Sequence, residues 1–289
     1  MRALRRTVHR ASRTFRAFHG SSRTSRRPPL AFAAAAGVHL GALAGGAAPV
    51  ARATKPVLMP LLAEYVLRRG GPPTLALALL LGCAGDTLLQ VAGELPFLLG
   101  MAAFAAGHGC YLALFARHGG RGGDGGGDRR GDGGGDRRGD GGADRRGAGS
   151  RGRAANRRLA AGYAAAWAGT TALLWPGLPA GLRPPVALYG LLLTATAFGA
   201  LRTGRRAAAG GALFLLSDGL IASGLAGRPQ PPAPQFWIML TYLGAQYLLA
   251  ESVLEAADSA EGARHRPDPL RVSDVVRQFF TAARASTMP

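Results

Sequence analysis

Charge in this chain is confined to three blocks, and that segregation limits what it can fold into. Residues 1–28, 117–157 and 257–289 carry 35 of the 51 Lys, Arg, Asp and Glu side chains, leaving 16 for the other 187 positions. A water-soluble fold of that size needs a charged surface that those positions cannot supply. The whole-chain figures, a net charge of +19 and a mean hydropathy of +0.10, average the two kinds of segment and conceal the split. The pattern predicts an all-α polytopic membrane protein with charged extensions. Nucleic-acid binding is excluded as the reading, because the positive charge sits in tails and loops and not on a face with interleaved aromatics.

The apolar stretches predict eight transmembrane helices, over 30–48, 55–68, 73–92, 95–116, 158–176, 184–201, 208–224 and 235–256. Most approach the roughly 20 residues a bilayer crossing requires, the second being short. They are rich in Ala and Gly, which suits close helix packing in lipid. The second is expected to open at Lys55-Pro56, where a proline costs nothing. The chain therefore divides into a basic tail (1–28), a first four-helix half (29–116), an insert (117–157), a second half (158–256) and a polar C-terminal tail (257–289). Basic residues gather on one side: the N-terminal tail, Arg68 and Arg69, the insert, Arg202 to Arg206 and the C-terminal tail. That bias predicts both termini on the cytoplasmic or equivalent face.

The first 28 residues hold nine arginines and no acid, with Leu4, Val8, Ala11, Phe15 and Phe18 at helical spacing. This is the composition of an organellar transit peptide or, equally, of a solvated basic tail. Segment 123–146 repeats GDGGGDRR three times, the last copy with one Ala for Gly. It has no apolar residue to build a core and is expected to be a disordered loop. Its period does not match the calcium-binding nonapeptide repeat. Cys83 and Cys110 lie in apolar stretches without a CxxC, so neither a zinc site nor a disulfide framework is indicated. A short helix over 273–283 is expected in the C-terminal tail.

A longer repeat carries the chemistry. Gly85-Asp86-Thr87-Leu88-Leu89 in the third span matches Ser217-Asp218-Gly219-Leu220-Ile221 in the seventh, and Lys55-Pro56-Val57 matches Pro184-Pro185-Val186. The halves read as two parallel four-helix repeats, with Asp86 and Asp218 on helices of the same direction. Glu64 and Glu251 lie near span ends, where they can reach water or Arg68 and Arg69. Asp86 and Asp218 have no such escape, and a carboxylate within a span marks function by default. One protonated and one ionised carboxyl is the arrangement that general acid-base catalysis uses. Lys55 is the single lysine against 34 arginines, which suggests a role for an ammonium as a point charge. His108 and Tyr111 share a helix face. Tyr189, Gln246 and Tyr247 are further candidates for the same cavity. A zinc hydrolase is disfavoured, since His39 and His108 are the histidines within spans and a catalytic zinc wants about three protein ligands.

These residues in this order resemble the YhhN-like membrane protein family, whose characterised members are lysoplasmalogenases. The resemblance covers about 50–116 and 158–252. It rests on Lys55-Pro56, Gly85-Asp86 with Leu88-Leu89, Phe97 with Gly100, the set Phe104, His108 and Tyr111, then Tyr189, Ser217-Asp218 and Ala245-Gln246-Tyr247. It implies that Asp86 and Asp218 are catalytic and that the substrate is a lysophospholipid with a vinyl ether, cleaved without metal or cofactor. Which aspartate acts as the acid stays open at the level of sequence. The basic tail, the Gly-Asp-Arg insert and the C-terminal tail depart from the family pattern and touch none of its motif positions.

Two other classes use intramembrane acids. A proton-coupled transporter of small solutes or lipids suits parallel repeats. An intramembrane aspartyl protease is disfavoured, because Cys83-Ala84-Gly85 precedes Asp86 where GxGD is required, and Ser217 stands before Asp218.

Overall fold

The computed structural model describes residues 29–119 and 141–264. Helices account for nearly all of them, and no strand occurs among the described residues. The helices are α1 (Leu30–Ala44), α2 (Ala48–Arg68), α3 (Pro73–Leu88), α4 (Glu94–Gly119), α5 (Gly141–Leu174), α6 (Arg183–Leu201), α7 (Arg205–Leu225) and α8 (Pro234–Arg264). Two short 3-10 turns, Trp175–Gly177 and Ala180–Leu182, join α5 to α6. Among the described residues, three stretches are long and apolar enough to cross a membrane on those grounds alone: Glu94–Arg117, Ala180–Leu201 and Arg205–Leu225. α1 and α3 are apolar but shorter.

α2 starts earlier than the sequence predicts. It begins at Ala48 with Pro49 in the first turn, so Lys55 and Pro56 are interior, as is Pro60. An interior proline removes a backbone N–H and leaves the carbonyl four residues back without its helical partner. Pro60 does this to Pro56, and the Cys83 thiol of α3 donates to the freed Pro56 carbonyl at 3.2 Å. Helix continuity is thus kept by a side chain from the neighbouring helix. The expected equivalence of Lys55-Pro56 with Pro184-Pro185 as helix starts is lost, since only the latter pair lies in a first turn.

α5 also exceeds expectation. The insert was expected to be loop throughout 117–157, but 117–119 complete α4 and 141–157 open α5. From Ala143 onward the Asp-Gly pattern gives way to Ala and Arg, good helix formers that extend a helix already favoured by the apolar run after Arg158. Residues 120–140, the basic N-terminal segment and the expected 273–283 helix lie outside the described residues.

Turns and packing follow from small residues. α2 closes at Gly70 (φ +72°), with Gly71 N–H donating to the Val66 carbonyl at 2.9 Å, a left-handed cap that favours glycine. Consecutive helices pack side by side through α1–α4 and α6–α8, α4 packs on α6, and α8 returns to touch α1, α2 and α3. Close approach is marked at Gly211, where an added Cβ would stand 3.0 Å from the Ala197 Cα, and at Gly107, 3.2 Å from the Ala78 carbonyl oxygen. The core lies between α2, α3, α4, α7 and α8 and includes Leu58, Met59, Leu79, Tyr111, Phe214 and Leu249. α5 packs chiefly on α6, and over residues 154–174 most of its side chains are exposed.

Candidate functional site

Asp86 lies in the last turn of α3 and is buried. Its backbone neighbour Gly85 lets α4 come close: a Cβ there would sit 2.6 Å from the Phe104 ring. Lys55, two turns into α2, reaches across, and its Nζ is 3.3 Å from Asp86 Oδ1. An ammonium held against a buried carboxylate offsets the cost of burying either one alone. Asp218 sits two turns before the end of α7 and is half-buried. The Tyr189 hydroxyl of α6 donates to Asp218 Oδ2. With that proton committed, the Tyr189 oxygen faces His108 Nε2 at 3.4 Å, the long end of hydrogen-bond range. His108 then donates through Nε2, and its buried Nδ1 has no hydrogen-bond partner among the described residues.

Both aspartates line one cavity of about 80 Å³, together with Lys55, Tyr189, Phe104 and Tyr242. A larger cavity of about 530 Å³ opens between α5, α6 and α7 and is almost wholly apolar. The two share Val186, Tyr189, Asp218 and Ala222 as lining, so they meet at the Tyr189–Asp218 pair.

The expected site residues fall into three groups. Lys55, Asp86, Tyr189 and Asp218 are brought together around the smaller cavity. His108, Tyr111 and Gln246 form a layer behind it: the Tyr111 hydroxyl donates to Gln246 Oε1 at 2.7 Å, and the His108 ring stands 6.4 Å from Tyr111 and 4.5 Å from Phe214. Tyr247 stands apart from both groups. It packs at the edge of the core and lines neither cavity, because it points a different way from Gln246 on α8. Tyr242 was not foreseen. Its buried hydroxyl stands beside Asp86 and Gln246 without closing a well-formed bond to either. The signal was present, since Tyr242 is one helical turn before Gln246 and shares its face. Ser217, beside Asp218, donates to the Ile238 carbonyl at 3.1 Å and ties α7 to α8.

Four further acids of α2 and α8 have polar or basic partners. Glu64 pairs with Arg68 at 2.6 Å. Glu251 accepts from Tyr65 at 2.6 Å, and Arg69 donates to the same Tyr65 oxygen at 2.8 Å and pairs with Asp258. Glu255, which α8 also carries, pairs with Arg206 of α7.

The model of the YhhN family matches residues 50–253, which takes in every residue that lines the two cavities. The chain belongs to the YhhN family. A curated relative, the human (Homo sapiens) lysoplasmalogenase TMEM86B, is 43% identical over 72 residues. That match covers 25% of this chain and 31% of the relative, so the chain spans about a third of the length of the curated protein it matches. No solved structure matches the chain. With its apolar helices, this YhhN chain is a helical membrane protein.

Proposed function

We propose that this YhhN protein is an integral-membrane hydrolase that cleaves the vinyl ether of lysoplasmalogens, using Asp86 and Asp218 as an acid and a stabilising carboxylate. The observation that carries the reading is the lining of one cavity by both aspartates, one ion-paired to Lys55 and the other hydrogen-bonded to Tyr189. The name of the human relative supports the substrate class. The reading includes eight spans arranged as two parallel four-helix repeats, with both termini on one side of the bilayer.

The chemistry starts from R–O–CH=CH–R′. Proton transfer to the carbon distal to oxygen gives R–O⁺=CH–CH₂–R′. Water adds to the cationic carbon, the hemiacetal loses a proton, and collapse releases the glycerol hydroxyl and the aldehyde O=CH–CH₂–R′. Two carboxyl groups divide this work, as in glycoside hydrolysis. Asp218 is the acid in this scheme. It has no cationic partner among the described residues, and it lies where the apolar cavity begins, on the side of the carbon that takes the proton. Asp86, held as the partner of an ammonium, faces the developing cation and draws a proton from the water. Lys55 also stands on the side where the substrate phosphate must lie. Tyr189 fixes the Asp218 carboxyl, and His108 fixes Tyr189.

The test is fatty-aldehyde release from lysoplasmenyl-choline and lysoplasmenyl-ethanolamine by the purified protein in detergent, with Asp86→Asn/Asp218→Asn as control. Aldehyde from the unaltered protein alone supports the reading. Absence of aldehyde on both lipids from folded protein overturns it and turns attention to proton-coupled transport through the same carboxyl pair.

A further inference from the structure

The cavity between α5, α6 and α7 is too large and too apolar to serve the carboxyl chemistry alone. At about 530 Å³ it falls within the range of small-molecule sites, while the cavity that holds both aspartates has about 80 Å³. We infer that this larger cavity is the binding site for the hydrocarbon chain of the lipid, running from Asp218 toward Arg158, and that it sets the chain length the protein accepts. The inference rests on the proposed function for the identity of the reacting group, but the site it names is a separate one.

Three observations fix the direction. The cavities join at Tyr189 and Asp218. In a vinyl-ether lipid the reacting double bond likewise joins a polar glycerophospho group to an apolar chain, so a double bond at Asp218 puts one part in each cavity. The level of Asp218 on α5 is given by Trp167, whose ring lies 3.5 Å from a Cβ at Gly190 and whose Nε1 donates to the Ala187 carbonyl at 3.0 Å. From Trp167 back to Arg158 the helix rises roughly 14 Å. That is too far for Arg158 to hold a phosphate a few bonds from the reacting carbon, and it is a distance a long alkenyl chain covers. Lys55, beside the second carboxylate, is on the other side of the junction.

The wall is built to be filled by methylenes. Thr194, one of its few polar side chains, has its hydroxyl turned back to the Gly190 carbonyl at 2.7 Å. The far part is bounded by Tyr163, whose ring stands edge-on to Phe198 at 5.8 Å. Gly162 lines this far part, and a Cβ added there meets nothing within 4 Å. The cavity therefore has room at Gly162 for a side chain that would shorten it without disturbing the fold.

The experiment compares Gly162→Leu with the unaltered protein on lysoplasmenyl-cholines of 12 and 18 alkenyl carbons. The expected result is a fall of about tenfold in the ratio of kcat/KM for the long chain over the short. An unchanged ratio in that variant, in protein that releases aldehyde, overturns the hydrocarbon site and leaves the hydrolase standing. A second readout works without turnover. In a Trp175→Phe/Trp237→Phe background Trp167 is the remaining tryptophan, and lysophosphatidylcholine with a brominated chain is the probe. Saturable quenching of Trp167 that needs about tenfold more lipid after Gly162→Leu supports the site even if no aldehyde forms. Identical quenching with and without that substitution overturns it.

Discussion

Lys55 and Asp86 meet at 3.3 Å across the α2–α3 interface, each from a helix interrupted or ending at that level. Lys55 precedes an interior proline, and Asp86 stands in a terminal turn. The pair predicts an asymmetric mutational response. Lys55→Met strands a buried carboxylate and is expected to cost about 3–5 kcal/mol. Lys55→Met/Asp86→Asn removes both charges and is expected to recover most of that loss. Denaturant or thermal unfolding in detergent reads both; equal destabilisation in the single and double variants refutes the pairing.

The two carboxyls predict separate kinetic losses. Asp218→Asn removes the proposed proton donor and is expected to lower kcat by about 10²–10⁴-fold. Asp86→Asn removes the proposed stabilising charge, with a loss of similar size. Aldehyde release measured at saturating lipid decides, and full activity in either folded variant rejects the two-carboxyl scheme.

Tyr189 is expected to act through Asp218. Tyr189→Phe keeps the ring and deletes a hydrogen bond to a carboxylate, an interaction of about 1.5–3 kcal/mol. The expected result is a fall in kcat of tenfold or more with KM little changed. His108→Phe, which leaves Tyr189 without its neighbour, is expected to produce a smaller loss of the same kind. A change confined to KM assigns Tyr189 to substrate binding instead.

Gly85 tests the packing that holds the site. Gly85→Ala puts a methyl carbon 2.6 Å from the Phe104 ring and is expected to destabilise by about 1–3 kcal/mol. Adding Phe104→Leu is expected to relieve part of the cost. Unfolding midpoints of the two variants check this.

Tyr65 joins α2 to α8. Tyr65→Phe leaves Glu251 and Arg69 without their shared oxygen and is expected to lower stability by about 1–3 kcal/mol without altering the chain-length profile of aldehyde release. A shifted profile would tie this network to the lipid site.

The carboxyl pair was legible in the sequence because an acid in an apolar stretch has few reasons to be there. Lys55 was legible because it is the single lysine against 34 arginines. Tyr242 was not, since a tyrosine in an apolar helix reads equally as core, and only the turn of α8 that also carries Gln246 aims it at Asp86. The start of α2 was missed because Pro56 looks like a first-turn proline. The helix runs on through Pro60 as well, where a thiol from another helix takes the Pro56 carbonyl that Pro60 leaves free, a contact no local pattern announces. The N-terminal extension of α5 was hidden by its glycines, which depress local propensity even where Ala and Arg follow. The apolar cavity was invisible, because its lining is spread over three helices with nothing in common but small or apolar side chains.

Gly85 and Asp86 are consecutive in the chain, and each serves a different neighbour. One admits the Phe104 ring; the other meets the Lys55 ammonium. Helix spacing and carboxylate depth are therefore a single variable. A change that spreads α3 from α4 also moves the acid relative to its counter-ion, so this site cannot be widened at that interface without retuning its charge. Room for substrate diversity lies instead on the α5 side, where the wall can be remodelled one side chain at a time while the ion pair stays put.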